Sequence, residues 1–160
     1  MRPLDLDDAV ALAGNAAEAP QWSRQDYERI LFSDPAAEFS RSALVLRLHG
    51  ALRGVVVFSF LRVDGLAELE NLVVQPAFRR LGLGTGLLLA AMELACRQGA
   101  RWMRLEVRES NRAALSLYLR HGFRAAGRRR AYYSSPQEDA LLLQAHLVEC
   151  PDLQLAPQGP

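Results

Sequence analysis

Over residues 69–109, LENLVVQPAFRRLGLGTGLLLAAMELACRQGARWMRLEVRE, the apolar pattern changes period twice. LENLVV and RWMRLEVRE read as strands. Between them GTGLLLAAMELACRQG places Leu87, Ala91, Leu94 and Ala95 on one helical stripe and stops at Gly99. Strand, helix and strand in such close succession require a crossover, which makes the two strands a parallel pair. The rest of the chain has to be arranged around that unit.

Upstream, SALVLRLH, RGVVVFSFLRV and LAELENLVV are three strand-like runs separated by the short turns HGA and VDG, which predicts an antiparallel meander leading into the crossover. LDLDDAVALAGNAA reads as a short helix, acidic in its first turn and ending near Asn15. After the loop AAEAPQW, Ser23 and Asp26 have the spacing of a capping box and start a second helix. Downstream, SNRAALSLYLRHG is a helix closed by Gly122, and FRAAG and DALLLQAHLVE are the last two strands. The expected fold is α/β: a mixed, mostly antiparallel sheet flanked by helices, with one parallel strand pair. Residues 1–150 are expected to form a single domain, followed by a loose C-terminal tail, PDLQLAPQGP, at 151–160.

The net charge is +1, which gives no support for a nucleic-acid surface; the one dense basic run, Arg128 to Arg130, is short. All nineteen basic residues are arginine, so a Walker A loop and Schiff-base chemistry are excluded for want of lysine. Cys96 and Cys150 make a poor disulfide framework, and His49, His121 and His146 show no ligand spacing, so no metal is expected. No leader or membrane span is expected, and the expected location is cytoplasmic.

The glycines of RRLGLGTG fall at 82, 84 and 86. That spacing does not fit the dinucleotide fingerprint, and the ribose-binding acid expected about twenty residues later is absent. It does allow amides from about Arg80 to Thr85 to converge on a pyrophosphate at the positive end of a helix, with Arg79 and Arg80 adding charge. Read alone, the loop is equally well a plain turn.

Its neighbours extend the pattern. The run LENLVVQPAFRRLGLGTGLLLAAMELACRQGA followed by LEVRESNRAALSLYLRHGF resembles the GNAT superfamily of acetyl-CoA-dependent N-acetyltransferases. The superfamily's cofactor loop, Gln/Arg-x-x-Gly-x-Gly/Ala, is matched by Arg79-x-x-Gly82-x-Gly84. LEVRESN, LYLRHGF and RRRAYYSSPQEDALLL are similar to the RimI branch, which acetylates the N-terminal alanine of a ribosomal protein. The likeness runs from the first helix to about residue 147. It implies that Arg79, Arg80, Leu81, Gly82, Leu83, Gly84 and Thr85 hold the pyrophosphate of acetyl-CoA. It also implies that Leu72, Val73 and Val74 offer main chain to the pantetheine arm, and that Asn111, a natural helix N-cap, contacts the cofactor.

Acyl transfer to an amine requires a neutral nucleophile. An α-amino group titrates near 8, so a base must take its proton at neutral pH. Glu106, between Leu105 and Val107, turns away from the face those two bury and by resemblance is that base. Glu68 and Glu70 compete, since alternation puts them on the face of Leu72 and Val74; Glu68 ranks second. Tyr118 lies two helical turns after Asn111 on the same side and by resemblance is the acid that protonates the departing thiolate.

The resemblance further assigns acceptor binding to AAEAPQWS and RRRAYYSSPQED, hence to Trp22, Tyr132 and Tyr133. Two positions depart from the branch: Ala131 stands where asparagine is common, and Leu81 replaces a third arginine. The expected activity is acetylation of a protein N-terminal amine, that of a ribosomal-protein alanine, by a monomer or homodimer without nucleic acid or membrane partners. Acetylation of a small amine or a lysine side chain is the alternative.

Overall fold

In a computed structural model of the chain, residues 6–14 and 22–147 are described. Helices α1 (Leu6–Gly14) and α2 (Arg24–Leu31) precede strands β1 (Phe39–Leu48), β2 (Ala51–Leu61) and β3 (Leu66–Val74). A 3-10 turn at Pro76–Phe78 leads into α3 (Leu83–Arg97), followed by β4 (Trp102–Arg108), α4 (Arg112–Arg120), β5 (Arg124–Ser134) and β6 (Gln137–His146). The strands form one sheet in the order β1-β2-β3-β4-β6-β5. β3 and β4 are parallel across the α3 crossover and every other neighbouring pair is antiparallel, so the fold is the mixed α/β sheet expected.

Each face of the sheet carries its own core. On one, α3 buries Leu87, Leu88, Ala91 and Ala95, and α4 buries Leu115 and Tyr118, against Val56, Phe58, Phe60, Leu69 and Leu105. Each fully buried leucine is worth about 1.5–3 kcal/mol. Leu94 of the expected stripe is only half-buried, and Leu88 takes the inner position beside it. On the other face, α1 and α2 bury Leu6, Ala9, Leu12, Tyr27 and Ile30 against Val55, Val57 and Val73. The capping box that starts α2 is complete: the Ser23 amide donates to Asp26 Oδ2 at 2.9 Å and the Asp26 amide to Ser23 Oγ at 3.3 Å.

Two details depart from the sequence reading. Strand β5 runs through RRRAYYS rather than stopping after FRAAG. It is an edge strand exposed on both faces, so no apolar alternation marks it, and its pairing with β6 defines its length. Second, Val57 pairs with Asn71 and Phe58 with Leu69, which leaves Glu70 as the extra residue of a β-bulge. The bulge exchanges the faces of β3: Ala67 and Leu69 point to the α3 core, whereas Val73 points to the α1–α2 core and Leu72 and Val74 now pack toward α3. Glu68, opposite Leu69, is therefore not on the face of Leu72 and Val74. The loop of residues 15–21 and the segment 148–160, with the expected tail and Cys150, lie outside the described residues.

The bulge also fixes Asn71, buried and donating from Nδ2 to the Tyr27 hydroxyl at 3.3 Å. Burial pushes the Tyr27 phenol up to about 12 from the ordinary 10. A phenol raised in the folded state stabilises the fold fully below pH 10 and loses that contribution as the pH climbs to 12, about 3 kcal/mol at most. Tyr27→Phe strands the Asn71 amide and is expected to cost about 1–3 kcal/mol at pH 8. It should also shrink the loss of stability between pH 10 and 12, measured by urea unfolding; an alkaline loss as large as in wild type would contradict this role.

Candidate active site

The ladder between β3 and β4 ends at the pair Leu69–Leu105. Beyond it β3 continues to Val74 and β4 to Arg108 without pairing to each other, and a cavity of about 810 Å³ opens between them. The edge of residues 70–74 that would have met β4 is left without a strand partner, a row of peptide groups available to a ligand. Leu72, Val73 and Val74 all line this cavity.

At its outer end lies the start of α3. Gly82 is the N-cap with φ 78 and no side-chain cap bond, and Arg80 before it has φ 65. This left-handed backbone turns successive amides to one side, as anion-binding nests do. The first intrahelical bond runs from the Gly86 amide to the Gly82 carbonyl at 3.0 Å, so the amides of Leu83, Gly84 and Thr85 have no acceptor within the helix. Arg79, Arg80, Gly82, Gly84 and Thr85 line the cavity; Leu81, 66% exposed, and Leu83 do not. Arg79 Nε donates to the Val74 carbonyl at 3.1 Å, tying the loop to the end of β3. Sequence reasoning missed the opposite wall, where Arg112, Ser116 and Arg120 line the cavity at fourfold spacing along α4. That spacing is itself readable in SNRAALSLYLR.

At the inner end, Asn111 caps α4 through Oδ1, which accepts from the Ala114 amide at 3.1 Å, and Tyr118 faces the same cavity. The Tyr118 side chain is nearly buried and tilts against Phe123 at 5.6 Å. Burial, assisted by Tyr133, raises its phenol well above the tyrosine range, which keeps it protonated. Glu106 projects from β4 between buried Leu105 and Val107, its side chain 18% exposed and paired with Arg129 Nε at 2.9 Å.

A second cavity of about 420 Å³ is lined by Trp22, Asp26, Arg41, Glu68, Tyr132 and residues that it shares with the first. The shared residues are Leu69, Glu70, Glu106 and Tyr133, so the two cavities meet there. Trp22 packs on Tyr27 with ring centroids 5.2 Å apart and beneath the Arg41 guanidinium, and Glu70 is paired with Arg41 at 2.8 Å. Burial, reinforced by Glu106 and Glu70, raises the Glu68 carboxyl above its usual range. A hydrogen bond to Glu106 does the same for the Tyr132 phenol, and burial for Tyr133, over which Arg108 stacks at 4.0 Å. Arg108 in turn pairs with Glu138 at 3.2 Å, joining β4 to the β5–β6 hairpin. Among the described residues no cluster of three His, Cys, Asp or Glu is placed to hold a metal, and no helix is long and apolar enough to cross a membrane.

An amide-lined, arginine-flanked helix start joined by an open strand edge to a carboxylate and a protonated phenol is the layout of a coenzyme-A-dependent acyltransferase. Residues 10–123 match the model of the Acetyltransferase (GNAT) family, and the chain belongs to that family: it is an N-acetyltransferase that uses acetyl-CoA. A Bacillus subtilis (strain 168) protein named as a candidate ribosomal protein bS18-alanine N-acetyltransferase is 32% identical over 149 residues, 93% of this chain and 94% of that one. The crystal structure of the ribosomal-protein-S18-alanine N-acetyltransferase from Escherichia coli matches with a TM-score of 0.77 and 27% identity, over 96% of this chain and 94% of that one. Ard1 from Thermoplasma volcanium shares the fold, with a TM-score of 0.80 at 24% identity over 93% and 95% of the two chains.

A Cβ on Gly84 would rest in ordinary contact with Leu117 and Val74, whereas one on Gly86 meets nothing within 4 Å and Gly86 does not line the cavity. Gly84→Arg is therefore expected to abolish acetyl-CoA binding in calorimetry. Gly86→Arg should retain it and gain a few tenths to about 1 kcal/mol of helix stability.

Proposed function

We propose that the chain transfers acetyl from acetyl-CoA to the N-terminal α-amine of a protein, with a ribosomal-protein alanine as the acceptor. The observation that carries this reading is the meeting of the two cavities at Glu106. One is lined by five arginines and bordered by the unpaired edge of β3; the other is walled by an indole, two phenols, one arginine and four carboxylates, surroundings that suit a cationic chain terminus. The acceptor named for the Bacillus and Escherichia relatives supports the choice of alanine.

The residues present fit acetyl-CoA. The amides of Leu83, Gly84 and Thr85 with Arg79 and Arg80 hold its pyrophosphate at the positive end of α3. The edge of Leu72, Val73 and Val74 pairs with the amides of the pantetheine arm, and the Asn111 side chain borders the same path. When bound, acetyl-CoA supplies an activated thioester carbonyl and a thiol leaving group. Glu106 takes the proton of the incoming ammonium on its carboxylate, directly or through one water. Tyr118, kept protonated by burial, holds the proton that the departing sulfur needs. Trp22, Tyr132 and Tyr133 wall the acceptor.

The test is acetyl transfer to a panel: a ribosomal-protein-like peptide beginning with alanine, other free N-termini, N-terminally blocked peptides with an internal lysine, and polyamines. Turnover concentrated on free N-termini, led by alanine, is expected; turnover only on lysine or polyamines would replace the acceptor. Glu106→Gln is expected to lower kcat about 10²–10⁴-fold at pH 7 with acetyl-CoA affinity unchanged. Tyr118 should contribute no alkaline loss of kcat below pH 10, since its phenol ionises only above the ordinary range. A Glu106→Gln enzyme of wild-type activity would remove the base from this residue.

A further inference from the structure

Opposite Glu106, β5 departs from regular pairing. Arg129 is opposite Ala140 and Tyr133 opposite Glu138, so residues 130–132 together face Asp139 alone. Ala131, at the centre of this bulge, has φ 51, and its amide donates to Asp139 Oδ1 at 2.8 Å. Arg128 holds the same aspartate at 3.2 Å. A non-glycine residue kept in the left-handed region over such anchors indicates a segment held in one shape. That shape presents two groups to Glu106: the Tyr132 hydroxyl, and the Arg129 guanidinium at 2.9 Å, which also stacks over the Tyr132 ring at 5.5 Å.

The pair is lopsided. Arg129 is 57% exposed and Glu106 only 18%, so the cation is the partner free to leave. An exposed pair of this kind is worth a factor of about ten or less in an equilibrium. Two further carboxylates of the same cavity differ in their engagement. Glu70 is taken by Arg41, whereas Glu68 has no ion pair among the described residues and already feels the charge of Arg129.

We propose that Arg129 is a displaceable counter-ion and positioning residue. In the free enzyme it occupies the carboxylate of Glu106; when the acceptor binds, it yields that carboxylate to the acceptor's ammonium group and moves to Glu68. This rests on the reading of Glu106 as the base and adds to it a reason for a second carboxylate in the cavity. The exchange replaces one cation by another against Glu106, so that carboxylate keeps a counter-charge throughout. The internal cation competes with the acceptor, and the competition sets the acceptor's KM.

The experiment is a kinetic cycle on wild type, Arg129→Met, Arg129→Lys, Glu68→Gln and the double variant Arg129→Met with Glu68→Gln, using the best amine of the acceptor panel. Arg129→Met is expected to lower the acceptor KM about three- to tenfold, with kcat within twofold and acetyl-CoA affinity unchanged. Arg129→Lys should return KM to near the wild-type value. Glu68→Gln should raise KM about threefold in wild type and by less than twofold in the Arg129→Met background. A higher or unchanged KM in Arg129→Met, a loss confined to kcat, or equal effects of Glu68→Gln in both backgrounds would overturn the proposal while leaving Glu106 as the base. A wild type that acetylates no amine, or that is indifferent to Glu106→Gln, would overturn both. Thermal melts confirm that each variant is folded; the exposure of Arg129 makes loss of folding unexpected, and the lysine variant retains the charge.

Discussion

The parting of β3 from β4 after Leu69 and Leu105 is the constraint on which the rest of the site depends. Two parallel strands zipped to their ends would bury their edges in each other and leave no room between α3 and α4. Here the extra residue Glu70 twists β3 out of register, and the strands diverge. One insertion has several effects at once. It frees the edge of residues 70–74, turns Asn71 toward Tyr27 to anchor α2, and brings Leu72 and Val74 under α3. The helix that carries the glycine loop is thus packed on the same segment whose edge is left without a strand partner, which keeps the two in fixed relation.

A net charge of +1 conceals how unevenly charge is arranged along the cleft. Arg79, Arg80, Arg108, Arg112 and Arg120 line the first cavity, against two acids, Glu70 and Glu106. The second cavity has four carboxylates and one lining arginine. A ligand with a phosphate-bearing tail is drawn to one end and a cation to the other, and each is disfavoured at the wrong end. The buried phenol of Tyr118 lines the first cavity and carries no charge of its own.

Much of this was legible in the residues because it depends on local rules. The crossover follows from a change of period, the start of α2 from Ser23 and Asp26, and the start of α3 from glycines before an apolar helix. Asn111 and Tyr118 sit seven apart on one helix, and the structure brings both to one cavity. What escaped depends on pairing between distant segments. The bulge at Glu70 exists only relative to β2, so alternation put Glu68 on the wrong face. The length of β5 is fixed by β6, since an exposed edge strand has no apolar face to announce it. Arg129 looks like one of three interchangeable arginines until the bulge around Ala131 separates its role from that of Arg128.

The same geometry bears on the choice between carboxylates for the proposed base. Glu68 has the property usually sought, a carboxyl raised by burial and by its acidic neighbours. A general base must nonetheless reach the proton it removes while the amine faces the acyl carbon, so position outranks affinity for protons. Glu68 lines the second cavity only, whereas Glu106 borders both. Glu106 is also flanked on β4 by buried Leu105 and Val107, which anchor the strand that carries it. A carboxylate at the junction, held from below by the strand and from above by Tyr132 and Arg129, is where an amine from one side and a thioester from the other can be handled by a single group.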